Sequence, residues 1–180
     1  MKEQNATTKD ICVSAVAVAL ICVCSWIAVP IGGVPITLQS LAVFLTAVLL
    51  GVKRSIFAVI AYLLLGFIGV PVFAGFTGGV SKLLSPTGGY LLAFLWLTPL
   101  IALFFQWKKL KFWRLVAVFA VATLLLHIFG VLWLVLLVQN TSITSWWSAW
   151  AICVLPCIFP DICKIFLGAF LAMKLQGKIR

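Results

Sequence analysis

The last long apolar segment of the chain contains the stretch LPCIFPDICK at residues 155–164. It carries Asp161, the one carboxylate of the apolar body, because the other acidic residues, Glu3 and Asp10, belong to the polar first ten residues. Lys164 follows at i+3, a spacing that places both charged groups on one face of a helix. Each charge costs about 2.5–3.5 kcal/mol at the centre of a membrane helix. The pair is therefore expected to face a cavity and to bind something polar.

A second interpretation of Asp161 and Lys164 stays open. The two charges can satisfy each other as a buried ion pair that only fixes the register of the helix. In the functional interpretation, Asp161 accepts hydrogen bonds from ligand N–H groups and Lys164 donates to a ligand carbonyl or carboxylate.

The composition around this stretch is that of a polytopic membrane protein. Hydrophobic residues make up 65% of the 180 residues and charged residues only 9%, and a membrane helix needs about 20 apolar residues. We predict an all-α membrane protein of six transmembrane helices that forms a single domain over residues 1–180. The predicted helices cover residues 11–29, 36–50, 55–70, 90–106 and 115–138, and a last segment ends near Met173.

Basic residues predict the orientation. Eleven of the thirteen lie in the N-terminal tail, in the turns after the second and fourth helices and at the C-terminus, whereas the three other connections hold only Lys82. Because basic residues stay on the cytoplasmic side, both termini are expected there, with residues 1–10 as a cytoplasmic tail. Topology thus explains the net charge of +10 and leaves no need for a nucleic-acid partner.

The glycine-rich connection at residues 71–89 is then expected to face outside, where a long loop of this kind suits a lid. A helix that begins at Pro160 and reaches the cytoplasmic border at Lys174 places Asp161 about 20 Å from that border. In a core about 30 Å thick this is the outer third. The charged pair and the loop are expected to meet in a binding site open to the outside.

The loop also supplies candidate ligand contacts. The segment SPTGGY at residues 85–90 alone suggests an ordinary turn and helix start, but with VFAG at residues 72–75 it suggests a cradle with an aromatic wall. The candidate contacts in this loop are Phe73, Gly75, Thr87, Gly88, Gly89 and Tyr90.

Three further polar residues are ambiguous. Gln39, at the outer end of the second helix, suits a neighbouring helix and a ligand equally. Asn140, on the outer side, is a further candidate ligand contact. His127 is predicted to be a packed interior residue that is hydrogen-bonded to a backbone carbonyl.

The cysteines and the acidic residues give no indication of metal binding or catalysis. All six cysteines lie in apolar runs, where they are expected to act as small packing residues, and with a single histidine the spacings match no metal site. The chain has no nucleotide-binding motif and no second buried carboxylate for acid–base chemistry. Energy for any transport must therefore come from another chain.

Helix 1 contains Ala15 and Ala19 in a small-xxx-small spacing that permits close approach between membrane helices. From the spacing alone we expect this face to pack within the chain.

Four stretches carry a resemblance to a known family. They are VPITLQ at 34–39, GVPVFAG at 69–75, SPTGGYL at 85–91 and FPDICK at 159–164. In this order and over most of the chain, the sequence resembles the BioY family. These proteins are the biotin-specific substrate-binding (S) components of energy-coupling factor (ECF) transporters.

The resemblance implies a six-helix S-component fold in the inner cell membrane, with biotin bound near the outer surface. Asp161 and Lys164 match the family's Asp-x-x-Lys and would hold the polar groups of biotin, and loop residues from Phe73 to Tyr90 would close over it. Ala15 and Ala19 match the motif that docks on the transmembrane coupling subunit, which replaces the internal packing expected from spacing. The implied protein is no enzyme, needs no cofactor or metal, and works with a coupling subunit and an ATPase pair. Ser85 departs from the glycine that is usual in the family.

Three alternative functions remain open for the chain. It could be an S component for another small vitamin, a structural scaffold, or a small intramembrane enzyme. The enzyme requires Asp161, Lys164 and His127 to meet.

Overall fold

The computed structural model describes residues 2–31, 34–106, 111–137 and 146–179. The described residues form six α-helices, a two-stranded antiparallel hairpin and two short 3₁₀ turns. The helices are α1 (Lys2–Trp26), α2 (Gln39–Phe67), α3 (Gly88–Gln106), α4 (Phe112–Leu137), α5 (Trp146–Cys153) and α6 (Ile158–Ile179). The strands are β1 (Ala28–Val29) and β2 (Ile36–Thr37), and the 3₁₀ turns span Val80–Leu84 and Leu155–Cys157.

Five helical segments of the described chain are long and apolar enough to cross a membrane. They are Thr8–Trp26, Gln39–Phe67, Gly88–Gln106, Phe112–Leu136 and Trp147–Leu175. Large apolar side chains on their outer faces are exposed, among them Val16, Val121 and Phe170. Such a surface suits contact with lipid, and the chain is an integral membrane protein.

Helix α2 is broken at Gly51, whose φ of +74° lies in the left-handed region that only glycine adopts at no steric cost. Before the break, Leu38 N–H donates to the carbonyl of Ile27 at 3.4 Å, beside the C-terminal end of α1. Just after it, Arg54 lies 2.5 Å from Asp10 near the other end of α1. The arm at residues 39–50 therefore runs along α1 from its C-terminal end back to Asp10.

The second arm, residues 52–67, returns in the opposite direction. Tyr62 Oη donates to the carbonyl of Val72 at 3.2 Å, and the same carbonyl accepts a hydrogen bond from Ser25 Oγ near the C-terminal end of α1. The two arms of α2 thus form a helical hairpin, and they correspond to the predicted second and third helices.

Several predicted boundaries are wrong, for physical reasons that the structure shows. Helix α1 begins at Lys2 rather than at residue 11, so the polar tail is helical, and it ends at Trp26 because Ala28–Val29 pairs with Ile36–Thr37. The last predicted helix is interrupted by the 3₁₀ turn Leu155–Cys157, since the proline at position 156 has no N–H for the helical ladder.

Loop residues 71–87 are anchored to the second arm of α2. Phe73 forms an antiparallel bridge with Thr77, and its N–H donates to the Thr77 carbonyl at 2.9 Å. The Phe73 ring packs against Gly66, where any Cβ would overlap it. The absence of a side chain at Gly66 therefore positions the aromatic ring of the loop.

Candidate ligand-binding site

Asp161 lies in the first turn of α6 and is buried, with 7% of its surface exposed. Lys164, one turn further along the helix, contacts Asp161 Oδ1 through its ammonium group. The other carboxylate oxygen, Oδ2, lies 2.6 Å from His127 Nε2 on α4. Both oxygens of the buried carboxylate therefore have a partner, Oδ1 on α6 and Oδ2 on α4.

The Lys164 ammonium reaches across to the second helix. Besides Asp161, it donates to the backbone carbonyl of Thr37 at 3.2 Å and to Ser40 Oγ at 3.4 Å. An ammonium group has three donors, and three acceptors within the described residues surround this one. Lys164 thereby ties α6 to the junction of β2 and α2.

The predicted hydrogen-bond partner of His127 is wrong. The residue is buried as expected, but its partner is the Asp161 carboxylate rather than a backbone carbonyl. Its Nδ1 lies 3.5 Å from Tyr90 Oη. In a neutral imidazole whose Nε2–H donates to Asp161, Nδ1 accepts from the tyrosine hydroxyl. The chain Tyr90, His127, Asp161, Lys164 thus links α3, α4 and α6.

These groups line a cavity of about 270 Å³ at the end of the bundle that also holds the β1–β2 hairpin and loop 71–87. Its walls include most of the residues that the sequence singled out, which come from four separate parts of the chain. They are Gln39, Phe73, Thr87, Tyr90, Asp161 and Lys164. The charged pair and the loop therefore meet in one cavity. Although Asp161 and Lys164 pair with each other, both still line that cavity.

Three predicted glycine contacts lie elsewhere. Gly75, Gly88 and Gly89 are absent from the lining of this cavity. Gly88 and Gly89 are buried at the start of α3, and a Cβ at Gly89 would overlap Trp133 of α4. Their position indicates close packing of α3 on α4. Asn140 lies outside the described residues.

Among the lining residues that the sequence did not identify as ligand contacts, two have basic side chains, His127 and Lys82. A signal existed for each of them. His127 is the one histidine in the chain and stands within an apolar span, where an ionisable side chain needs a polar partner. Lys82 is the one basic residue in the connections on its side of the predicted topology.

Gln39 contributes a donor without an acceptor. Its side chain is buried, with 5% exposed, and its Nε2 has no hydrogen-bond partner among the described residues. A buried unsatisfied donor costs about 1–3 kcal/mol. Gln39 lines the cavity, but its Nε2 has almost no accessible surface there. Both interpretations of Gln39, a bond to a neighbouring helix and a contact to a ligand, therefore stay open.

Comparison with known proteins assigns the chain to a family. A sequence model of a protein family, described as "BioY family", matches residues 1–180. The chain belongs to the BioY family. The resemblance predicted from the four sequence stretches is thereby confirmed.

BioY relatives match almost end to end. "Biotin transporter BioY2" of Lactococcus lactis subsp. cremoris is 40% identical over 172 residues, which cover 96% of this chain and 92% of the relative. "Biotin transporter BioY" of Thermotoga maritima is 38% identical over 159 residues, covering 88% and 90%. The crystal structure of "the S-component for biotin from an ECF-type ABC transporter" superimposes with a TM-score of 0.83 at 28% identity, covering 97% of this chain and 94% of that one. This chain therefore has the same S-component fold as that crystal structure.

The small-residue face of helix α1 is exposed in this BioY chain. Ala15 and Ala19 are both exposed, whereas Ser14 and Ala17 are buried. Packing of the Ala15–Ala19 face within the chain, expected from the spacing alone, is therefore not what the described residues show. The face is available to lipid or to another protein.

Proposed function

We propose that this BioY chain is the biotin-binding S component of an ECF-type uptake transporter and captures biotin at the outer face of the membrane. The observation that carries the proposal is the cavity in which Asp161, Lys164 and the loop residue Phe73 converge. Support comes from the S-component fold, and from relatives along nearly the whole chain that are named biotin transporters.

The chemistry of the cavity suits biotin. Biotin combines an apolar bicycle and chain with two N–H donors, one carbonyl and one carboxylate. Binding sites for such molecules are mainly apolar, with a few placed polar groups. Phe73 and Tyr90 offer apolar surface, and Asp161 offers an acceptor for N–H groups. The volume of about 270 Å³ is near the lower limit for ligand pockets, so the site favours a small ligand.

In this proposal the chain forms a single domain over residues 1–180. It crosses the inner cell membrane six times and has both termini in the cytoplasm. Counting the two arms of α2 separately supports six crossings, because they contact opposite ends of α1 in opposite order. The basic residues then collect on the side of Asp10 and Arg54, while the cavity opens on the other side. A reporter fused to either terminus should remain in the cytoplasm, and an external reporter would contradict this topology.

Uptake requires other chains in this proposal. The partners are a transmembrane coupling subunit and an ATPase pair, since the sequence has no nucleotide-binding motif of its own. The exposed face of α1 with Ala15 and Ala19 is the proposed docking surface, because small side chains allow another helix to approach closely.

Replacing Ala15 or Ala19 with leucine is expected to leave biotin affinity unchanged within about twofold, since neither residue lines the cavity. The added bulk should abolish close helix contact and so reduce co-purification with the coupling subunit at least tenfold. The matched control is Val121→Leu, on the exposed face of α4. Equal co-purification of the Ala15, Ala19 and Val121 variants would exclude this docking surface.

Competition binding tests the choice of vitamin. The protein, purified in detergent, is titrated with biotin and then challenged with other vitamins that S components import. Saturable binding of one biotin per chain, displaced by unlabelled biotin but not by the other vitamins, is expected. Tighter binding of another vitamin would assign the chain to a different S-component specificity.

One observation favours a second function, because His127, Asp161 and Lys164 do meet in the structure. This is the geometry that the intramembrane enzyme required. The relatives, however, are named transporters, and the Lys164 ammonium is surrounded by acceptors. Incubation with biotin should therefore return the vitamin unchanged, whereas conversion that is lost on His127→Ala would favour the enzyme.

A further inference from the structure

Charge is distributed unevenly in the cavity. At its buried end the negative charge of Asp161 and the positive charge of Lys164 form a close pair with His127 beside it. Lys82, also in the lining, has no ion pair among the described residues. The lining therefore combines a paired end with an ammonium group that has no ion pair in the described part of the chain.

Within the part of the chain that the structure describes, no acidic side chain forms an ion pair with Lys82. The chain contains three acidic residues. Asp161 is engaged by Lys164 and His127, and Asp10 pairs with Arg54 at the opposite end of α1. Glu3 precedes Asp10 on the same helix. Within the described residues no carboxylate is left for Lys82, so the carboxylate of a ligand can neutralise it.

We propose that Lys82 binds the carboxylate of the vitamin, so that the ureido ring points toward Asp161 and the carboxylate toward loop 71–87. This inference rests on the proposed function and orients the ligand within it. Placed the other way round, the ligand carboxylate would bring a second negative charge to Asp161, with one buried ammonium between them, and like charges at close range disfavour each other. The ureido group is neutral, and its N–H groups match the acceptor Asp161 in the cavity lining.

The loop holds Lys82 in a defined place. Lys82 lies in the 3₁₀ turn Val80–Leu84, and its N–H donates to the Gly79 carbonyl at 3.1 Å. Its own carbonyl accepts from Ser85 Oγ at 2.7 Å, and Ser85 Oγ lies 2.8 Å from Thr87 Oγ1. Ser85 and Thr87 are themselves cavity walls. The side chain of Ser85 thus fastens the backbone of Lys82 to the rim of the cavity.

A carboxylate bound at the rim joins ligand and loop by a charge-assisted contact, and such contacts are about twice as strong as neutral ones. Binding should therefore distinguish free biotin from biotin amide, which keeps the ring system and the chain but carries no charge. It should also weaken as salt is added, because Lys82 is partly exposed and exposed charges are screened.

The test measures dissociation constants for biotin and biotin amide on the full-length protein in detergent. The wild-type protein should prefer biotin about tenfold. Lys82→Met should remove this preference by weakening biotin about tenfold while leaving biotin amide unchanged, and Lys82→Arg should keep it. Lys53→Met, at the exposed turn after Gly51, is the matched control and should behave as wild type.

A second variant separates this inference from the proposed function. Asp161→Asn should weaken both ligands and preserve the preference for biotin. A biotin-to-amide ratio that Lys82→Met leaves unchanged, or an equal loss of both ligands in that variant, overturns the assignment of Lys82. Absence of binding of either ligand to the wild-type protein overturns the proposed function and the assignment together.

Discussion

Replacing Asp161 with asparagine is expected to weaken biotin binding at least tenfold, which corresponds to about 1.4 kcal/mol. The substitution keeps the size of the side chain but removes the charge that strengthens its hydrogen bonds to ligand N–H groups. It also leaves the buried ammonium of Lys164 without its ionic partner. Titration calorimetry on purified wild-type and variant proteins measures the effect.

Asp10→Asn is the matched control for this substitution. Asp10 is paired with Arg54, but both side chains are more than one third exposed, and exposed ion pairs contribute little. Its affinity for biotin should equal that of the wild type. If Asp161→Asn bound biotin as tightly as Asp10→Asn, the carboxylate would have no part in ligand binding and the ion pair would only fix the helix register.

His127→Leu is expected to weaken biotin binding about tenfold, although His127 itself need not touch the ligand. Its imidazole holds Asp161 Oδ2 at 2.6 Å, and hydrogen bonds to charged groups contribute about 1.5–3 kcal/mol. Without this bond the carboxylate loses a fixed orientation toward the cavity. Affinity is measured beside His127→Gln, whose amide retains an N–H donor and should recover most of the binding.

A double-mutant cycle separates orientation from general damage to the fold. If His127 acts through Asp161, then His127→Leu should have little further effect on affinity once Asp161 is asparagine. Full additivity of the two losses would show that His127 acts independently of the carboxylate. Thermal unfolding of each variant checks that the comparison is between folded proteins.

Much of the fold follows from features that the sequence displays locally. Gly51 and the basic residues after it predict the turn between the arms of α2, and the structure has a left-handed glycine there. The helix ends were less predictable. The polar residues before Ile11 carry no apolar signal, yet they continue α1, and the pairing of β1 with β2 depends on two short segments meeting in space.

The charged part of the site was predictable for a different reason. A carboxylate in an apolar segment is costly, so the presence of Asp161 alone indicates a polar environment. The contact with His127 was not predictable, because α4 is apolar on nearly all faces and its rotation about its own axis cannot be inferred from such a pattern. Only the packing of α4 against α6 places His127 beside Asp161.

The glycines show most clearly what the sequence alone does not predict about the site. A missing Cβ permits close approach of a ligand and of a helix equally well. Gly89 was predicted as a ligand contact, but the structure packs it against Trp133 of α4. Tyr90, the next residue, lines the cavity instead and packs against Gly130. The sequence thus indicated the right segment, while the partner of each residue depends on tertiary packing.

Mass spectrometry of the small molecules released from the purified protein tests most directly whether the cavity around Asp161 and Lys164 holds biotin. The protein is produced in cells supplied with biotin, purified in mild detergent and denatured to release its ligand. The expected result is biotin at close to one molecule per chain for the wild type, with a large reduction for Asp161→Asn. Release of a different vitamin, or equal amounts of biotin from both proteins, would contradict the account.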